Sequence, residues 1–212
     1  MAHAIAENLV LMQELTWPVV GGFELASGTI TRCPVSWAAW VATDVHRWLD
    51  LARKHSDRTT DADIHWVDEL LHTARHALAE PFQPGFVMHD YKELNATFER
   101  AGDGWSVSGI FDLMEAFFGD SEIDLSRQTV HYMQEDPELA HAFVRRYLQL
   151  RPVRPGFGER FRVYLLWDRL VVWEYFQRPE RETPWECGLT LRAWLEPILT
   201  ACEPASGATR FT

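Results

Sequence analysis

The segment 86–126 constrains the fold most, because it predicts a β-hairpin with polar residues at both of its open ends. Two strand-like runs flank Asp103-Gly104, and an Asp-Gly pair in this setting is a strong hairpin signal. Asn95 comes just before the first run, and Asp112 comes just after the second. A hairpin brings its outer ends together, so we expect Asn95 and Asp112 to lie close to each other.

A short apolar run and a D-x-x-x-x-N loop precede this hairpin. The run predicts a strand over 86–88, and the loop extends from Asp90 to Asn95. An amide oxygen beside the Asp112 carboxylate offers the hard oxygen ligands that Mg²⁺ prefers, and Asp90 can accept a proton from a substrate hydroxyl. These are the parts that phosphoryl transfer needs. Each residue alone fits a solvated hairpin end, whereas the whole set in this order favours the functional interpretation.

The same block resembles the catalytic core of the aminoglycoside phosphotransferase and choline kinase group, relatives of the protein kinases. That group has the motif H-G-D-x-x-x-x-N, then a hairpin, then two apolar residues and a metal-binding Asp, and then G-D-P-x-x-D-L-A. The chain differs from the motif where Met88 replaces His, His89 replaces Gly and Ser121 replaces Pro. The matching parts are Met88-His89-Asp90 with Asn95, Ile110-Phe111-Asp112, and Gly119 to Ser126.

The resemblance implies a role for each matching residue. Asp90 corresponds to the catalytic base, and Lys92 corresponds to a loop lysine that approaches the transferred phosphate. Asn95 and Asp112 correspond to the Mg²⁺ ligands, and Asp124 corresponds to the carboxylate that ties the loop to the following helix. The implied cofactors are ATP and Mg²⁺. The implied reaction is phosphate transfer to a hydroxyl of a small molecule, such as an aminoglycoside, which would confer antibiotic resistance.

An apolar run near the N-terminus, residues 8–15 (NLVLMQEL), predicts a short strand. In the resembled family, a strand of this kind leads into the hinge whose backbone binds the nucleotide base. Gln13, Glu14 and Leu15 occupy that place, so residues 1–22 are expected to form a hinge-like strand and turn. An ordinary edge strand is an equally good interpretation.

The resemblance covers only the C-terminal lobe of the kinase fold. The N-terminal lobe of such enzymes carries a Gly-rich loop over the phosphates and a strand lysine paired with a glutamate. This chain has no G-x-G-x-x-G, and no lysine precedes Lys54. We therefore expect a single kinase-like domain over residues 1–202 and a flexible tail over 203–212. A homodimer, or a separate polypeptide that supplies the N-terminal lobe, is the expected protein partner.

Helical periodicity dominates the rest of the chain, so the expected fold class is α+β and mostly α. Apolar residues recur at helical spacing over 36–56 and 64–80, and Asp136-Pro137 is a typical helix start. Residues 159–177 are apolar on nearly all sides, which predicts a central helix. The predicted architecture is a helical bundle that carries one small catalytic hairpin.

The charge of the chain argues against a nucleic-acid partner. The formal net charge is −11, whereas nucleic-acid phosphates are bound by Lys and Arg. An acidic surface suits a cationic small molecule, although solubility is the better explanation of the charge. The three cysteines lie far apart, which is typical of free thiols in a reducing compartment, and no apolar run reaches transmembrane length. We expect a cytoplasmic protein with no membrane partner.

Two other functions stay open at this point. A kinase-like lobe could bind a metabolite or a protein without turnover. His89-Asp90 could also be the doublet of an HD-type metal-dependent phosphohydrolase, although such doublets lie on helices and this one follows a strand-like run. Elsewhere, His72 and His76 share a helix face but lack the Glu of an H-E-x-x-H metal motif, so solvated or partly packed histidines are expected there.

Overall fold

The computed structural model describes residues 1–24, 26–181 and 188–202. These residues divide into two compact units. The first contains Met1–Pro34 and Pro81–Pro155, and the second contains Val35–Glu80 and the residues from Gly156 onward. A single domain over 1–202 stays a prediction, and the predicted tail, 203–212, lies outside the described residues.

The fold is mostly helical with small antiparallel sheets, which confirms the predicted α+β class. In chain order, the described elements are α1 (Ala2–Met12), β1 (Gly21–Glu24), β2 (Thr29–Arg32), α2 (Trp37–His55), α3 (Asp61–Ala79), β3 (Gly85–Val87), β4 (Ala96–Ala101), β5 (Gly104–Ile110), β6 (Phe117–Gly119), α4 (Leu125–Glu135), α5 (Pro137–Leu150), α6 (Phe157–Gln177) and α7 (Leu191–Ala201).

The first unit contains two sheets. One has the strand order β2-β1-β6-β3, and every neighbouring pair in it is antiparallel. The other is the β4–β5 hairpin, in which Ala96 lies opposite Ile110 and Ala101 lies opposite Gly104. This is the hairpin that the Asp-Gly pair predicts. Its open end places Asn95 beside the residues that follow β5.

The prediction of a strand over residues 8–15 was wrong, because Ala2–Met12 form helix α1. Ile5, Ala6 and Leu9 recur at helical spacing and are buried, and α1 packs against α5 in the same unit. The alanines of this segment also have the highest helix propensity of any residue. The apolar run 8–15 contains only Leu9 of these three buried residues, so helical spacing cannot be recognised within that run.

Of the hinge-like strand and turn predicted over residues 1–22, the strand was wrong, because helix α1 occupies its place. The segment is a helix followed by a turn and by the start of β1. Strands β1 and β2 were not predicted, because their sequences, GGFE and TITR, are short and carry no apolar alternation. They acquire their structure by pairing, β1 with both β2 and β6.

The described residues of the second unit form a helical bundle, in which α6 contacts α2, α3 and α7. Helix α6 is buried on most of its sides, as its apolar sequence predicts. Ser36 caps α2 by accepting a hydrogen bond from the Ala39 amide at 3.3 Å. Helix α3 begins at Asp61, earlier than its apolar periodicity predicts, because Thr60 and Asp63 form a capping box.

Two further expectations concern the chain as a whole. No helix within 1–24, 26–181 and 188–202 is long and apolar enough to cross a membrane. Cys33 and Cys202 are free thiols, and Cys187 lies outside the described residues.

Gly21 lies in β1 at a place where the sheet leaves no room for a side chain. A Cβ at Gly21 would lie 2.3 Å from the Thr31 carbonyl oxygen. We therefore expect Gly21→Ala to lower the free energy of unfolding by about 1–3 kcal/mol, because the β1–β2 pair must separate to admit the methyl group. Urea unfolding followed by circular dichroism measures the change.

Gly22→Ala is the matched control, because a Cβ on this neighbouring residue meets nothing within 4 Å. Its free energy of unfolding should stay within about 0.5 kcal/mol of wild type, or rise slightly. Equal stability of the Gly21→Ala and Gly22→Ala variants would contradict the close approach of β2 to Gly21.

Candidate active site

The D-x-x-x-x-N loop begins directly after β3, in the first unit. His89, which precedes Asp90, has a φ of 69° and so lies in the left-handed region. Glycine adopts this region without strain, and histidine is one of the few other residues that is enriched there. This backbone shape explains why the resembled motif has glycine at this place. The His89 ring packs against Phe117, with 5.6 Å between the ring centroids.

Asp124 binds the backbone of this loop. Its Oδ2 accepts a hydrogen bond from the Met88 amide and its Oδ1 accepts one from the His89 amide, each at 2.7 Å. Asp124 ends the 3₁₀ turn Ser121–Asp124, which joins β6 to α4, and it is only 2% exposed. Two backbone donors thus converge on one buried carboxylate, which holds the loop against the start of α4.

Burial raises the pKa of Asp124 to about 7. The Met88 and His89 amides oppose this shift, because they stabilise the charged carboxylate. The nearby Asp90 adds to the rise through repulsion between like charges, and Arg127 opposes it. The cost of burying the charge therefore outweighs both hydrogen bonds, and Asp124 changes its charge near neutral pH.

Asp90 lies at the centre of a cluster of cationic and amide donors. Its Oδ2 accepts hydrogen bonds from Lys92 Nζ at 2.6 Å and from Asn95 Nδ2 at 3.1 Å. Its Oδ1 accepts a hydrogen bond from Arg127 Nη1 at 2.6 Å. The side chains of Asp90, Lys92 and Arg127 are 17%, 25% and 18% exposed, so the cluster is partly open to solvent. The structure thus brings together three predicted residues, Asp90, Lys92 and Asn95.

Arg127 was not among the predicted residues. It lies in the first turn of α4, three residues after Asp124. Because Asp124 ties the start of α4 to the loop, the next residues on the same helix face also approach the loop. Helical spacing counted from Asp124 is the sequence signal that could have identified Arg127.

Asn95 lies at the open end of the hairpin and also belongs to the loop. The Phe111 amide donates to the Asn95 carbonyl oxygen at 3.1 Å, so Asp112 follows one residue beyond this contact. The Asn95 side chain is oriented by its Nδ2, which also donates to the Asp90 carbonyl oxygen at 3.0 Å. With its nitrogen occupied in this way, Asn95 offers Oδ1 as a ligand oxygen.

Asp112 is the exposed member of the predicted metal pair, and its φ of 65° is left-handed. Non-glycine residues in this region are uncommon and concentrate at functional sites. Within the described part of the chain, no hydrogen bond or ion pair to the Asp112 carboxylate is found.

One carboxylate and one amide oxygen fit Mg²⁺, which binds few protein ligands and keeps water and substrate oxygens in its shell. The roles of Asn95 and Asp112 as its ligands stay a prediction.

The prediction that Gln13 belongs to a hinge strand was wrong, because this residue follows helix α1 and its side chain is buried. Its Nε2 donates to the Ser121 carbonyl oxygen at 2.7 Å, and its Oε1 accepts from the Tyr147 hydroxyl at 2.8 Å. Gln13 is 1% exposed. Its amide therefore connects α1 and α5 to the turn that contains Asp124.

Glu14 lies in a turn, and Leu15 follows it directly before Thr16, which forms an isolated β-bridge with Gly85. The Leu15 amide donates to the Met12 carbonyl oxygen at 3.2 Å, and the Leu15 carbonyl oxygen accepts from the Phe86 amide at 2.8 Å. Both backbone groups of Leu15 thus form hydrogen bonds within the protein, and a role of Gln13, Glu14 and Leu15 in nucleotide binding stays a prediction. The structure gives this segment the role of supporting β3.

Two alternative metal interpretations gain no support. His72 and His76 are exposed on α3, and the group of potential metal ligands found among the described residues contains neither of them. His89 and Asp90 are also absent from that group. They lie in a loop, whereas the doublet of an HD-type phosphohydrolase lies on a helix.

Comparison with known protein families identifies the class. The model of the phosphotransferase enzyme family matches residues 4–172. The chain therefore belongs to this family, which confirms the resemblance drawn from the loop and hairpin motifs. No curated protein matches the chain.

A solved structure shows the same fold. It is a provisionally named fructosamine-3-kinase from Thermobifida fusca YX-ER1, which matches with a TM-score of 0.60 and 19% sequence identity over 95% of this chain. The chain spans 64% of the length of that protein. At this level of identity the likeness shows the fold alone, and the fold is kinase-like, as predicted.

The buried Asp124 predicts a pH dependence of stability. Its pKa is raised in the folded state, so its contribution to stability is fully present below the unfolded pKa of about 4 and is lost as the pH rises through about 7. We expect the free energy of unfolding of wild type to fall by about 1–4 kcal/mol between pH 5 and pH 8 from this group. Asp124→Asn should lack this part of the profile when urea unfolding is measured across the same pH range.

The Asp124→Asn variant should also be less stable than wild type by about 1–3 kcal/mol at pH 5, because an amide nitrogen cannot accept from a backbone amide. Asp103→Asn is the control, since this aspartate is exposed at the hairpin turn and its replacement should leave the pH profile unchanged. Parallel profiles for wild type and Asp124→Asn would contradict the raised pKa of Asp124.

Proposed function

We propose that this chain carries the catalytic residues of a phosphotransferase that moves the γ-phosphate of ATP to a hydroxyl of a small molecule. The observation that carries the proposal is the cluster at Asp90, in which Lys92, Asn95 and Arg127 all donate to one carboxylate. Family membership supports the same reaction class. Phosphoryl transfer depends mainly on positioning and on charge neutralisation, and this cluster supplies groups for both.

Asp90 acts in the proposal as the group that orients the acceptor hydroxyl and takes its proton. The hydroxyl oxygen then forms the new bond to the γ-phosphorus, the bond to the β-phosphate oxygen breaks, and ADP leaves. Lys92 and Arg127 hold Asp90 from its two oxygens, at 2.6 Å each. In the proposal, their positive charges also compensate the negative charge of the transferred phosphoryl group.

Asn95 Oδ1 and the Asp112 carboxylate are the residues that would hold Mg²⁺. When bound, this ion neutralises the charge of the phosphate oxygens. Asn95 is suited to the task because both of its Nδ2 contacts, to the Asp90 carbonyl and carboxylate, restrain the orientation of its amide.

We propose an amino sugar or a similar hydroxyl-rich cation as the acceptor. The chain has a formal net charge of −11, which favours cationic ligands over anionic ones. Fructosamine, in the name of the similar structure, and the aminoglycosides of the resembled group both combine an amine with sugar hydroxyls.

In this proposal the protein works in the cytoplasm, and a second copy of the chain or a separate polypeptide completes the ATP site.

Replacing Asp90 tests the reaction. Asp90→Asn keeps the size of the side chain and its Oδ1 contact to Arg127, but it cannot take up the hydroxyl proton. We expect phosphate transfer to fall by about 10²–10⁴-fold, measured as ADP release and by mass spectrometry of the acceptor, with an aminoglycoside and a fructosamine assayed in parallel.

Asp103→Asn is again the matched control, because it makes the same chemical change at the opposite, exposed end of the hairpin. Its rate should equal that of wild type. Equal rates for wild type and Asp90→Asn would remove Asp90 from the reaction and overturn the proposed role.

Calorimetric titration with ATP and Mg²⁺ separates binding from turnover. Wild type should bind the nucleotide, and Asp112→Asn should bind it at least about tenfold more weakly, because a metal ligand loses its charge. Nucleotide binding by wild type without transfer to any acceptor would favour the other predicted function, a kinase-like binding protein. Binding that is identical in wild type and Asp112→Asn would exclude Asp112 as a ligand.

A further inference from the structure

Glu93, His131 and Glu135 form a second group of charged and metal-ligating side chains in the first unit. One potential ligand atom from each lies within 4.8 Å of the other two. Glu93 belongs to the 3₁₀ turn Glu93–Asn95 inside the catalytic loop, whereas His131 and Glu135 lie four residues apart on α4 and so share one face of that helix. The group therefore spans the loop and the helix.

The distances within this group suit a metal ion better than they suit hydrogen bonds. His131 Nε2 lies 3.7 Å from Glu93 Oε1 and 3.6 Å from Glu135 Oε1. Both separations are too long for hydrogen bonds. Two ligand atoms that bind one tetrahedral Zn²⁺ at 2.0–2.1 Å lie about 3.4 Å apart. The two distances from His131 Nε2 are close to this value, and all three potential ligand atoms lie within 4.8 Å of one another.

The imidazole nitrogen that faces the two carboxylates is a buried polar atom. Within the described part of the chain, His131 Nε2 is buried and has no hydrogen-bond partner. Leaving a buried polar atom without a partner costs free energy, and such an atom in a native structure often marks an ion or a water site. A metal ion between Glu93, His131 and Glu135 would supply the missing interaction.

Neighbouring residues already orient the Glu93 carboxylate. Tyr132 donates its hydroxyl proton to Glu93 Oε2 at 2.5 Å, which leaves Oε1 to face His131. Gln128 Oε1 accepts from the Glu93 backbone amide at 2.5 Å, which fixes the backbone of the same residue. Hydrogen bonds of this kind hold metal ligands in place. The Glu135 side chain is 52% exposed, so an ion can enter from solvent.

We propose that Glu93, His131 and Glu135 bind Zn²⁺, with water at the fourth position, and that the ion ties the catalytic loop to α4. One imidazole nitrogen and two carboxylate oxygens form a ligand set that suits Zn²⁺, whereas Mg²⁺ prefers oxygen alone. The site uses none of the residues proposed to hold Mg²⁺. Its occupancy does not depend on the proposed phosphotransferase reaction.

Titration of the metal-free chain with ZnCl₂ tests the site, by calorimetry and by the shift in melting temperature. Wild type should bind one Zn²⁺ and melt at a higher temperature when loaded. His131→Asn and Glu135→Gln should each weaken binding by tenfold or more, and Tyr132→Phe, which removes only the orienting hydroxyl, by about 10–100-fold. Because Glu135 is exposed, Glu135→Gln should fold like wild type.

Substitution of Co²⁺ for Zn²⁺ gives a readout of the ligand geometry. A Co²⁺ ion bound at a tetrahedral site absorbs strongly in the visible range, and this band should be present in wild type and absent in Glu135→Gln. The band reports the metal environment directly and requires no enzymatic turnover.

Two control variants separate this site from other binding. His65→Asn removes an exposed helix histidine whose Nε2 lies 3.4 Å from Glu69 Oε1, four residues later. Among the described residues, this pair belongs to no group of three potential metal ligands. Asp112→Ala removes a residue of the proposed Mg²⁺ site. Neither should change Zn²⁺ affinity. Absent binding, or binding that survives His131→Asn and Glu135→Gln, would overturn the proposal and leave an imidazole–carboxylate ion pair.

Discussion

The geometry of the candidate site depends on one interaction, the pair of hydrogen bonds from the Met88 and His89 amides to Asp124. These bonds join residues that are 36 and 35 positions apart in the chain. They hold the first residues of the loop after β3 against the start of α4. Burial of Asp124 strengthens each hydrogen bond electrostatically, but it also penalises the charge that makes the carboxylate a good acceptor. The loop after β3 is therefore held by the Asp124 carboxylate, whose charged form is favoured by the two hydrogen bonds and disfavoured by burial.

Once Asp124 sets the position of α4, one face of that helix determines the conformation of the loop. Arg127 binds the Asp90 carboxylate, Gln128 accepts from the Glu93 amide, and Tyr132 donates to the Glu93 side chain. Arg127 and Gln128 follow Asp124 by three and four residues, and Tyr132 follows Gln128 by four, so these side chains lie on one face of α4. A rigid helix can thus position several loop side chains at once, which a flexible segment could not do without a large cost in conformational entropy.

The parts of the site that sequence predicted were local ones. Asp90, Lys92 and Asn95 are close in sequence. The Asp103-Gly104 pair predicts the β4–β5 hairpin, whose open end brings Asn95 near Asp112. Arg127 was missed because its contact with Asp90 spans 37 residues, and no local pattern carries that information. Helix α1 was predicted as a strand because its buried residues, Ile5, Ala6 and Leu9, mostly precede the apolar run that begins at residue 8.

The side-chain amide of Gln13 has a consequence for the order in which the protein folds during synthesis. It is buried against Ser121 and Tyr147, which follow it by 108 and 134 residues. A growing chain that ends before Tyr147 leaves this amide without one of its two partners, and burying it would then be unfavourable. Contacts of such long range form slowly and late. The two hydrogen bonds of Gln13 therefore form only after Tyr147 has been synthesised. Shorter nascent chains lack one of the contacts that hold the turn containing Asp124, and so they lack a fully formed site.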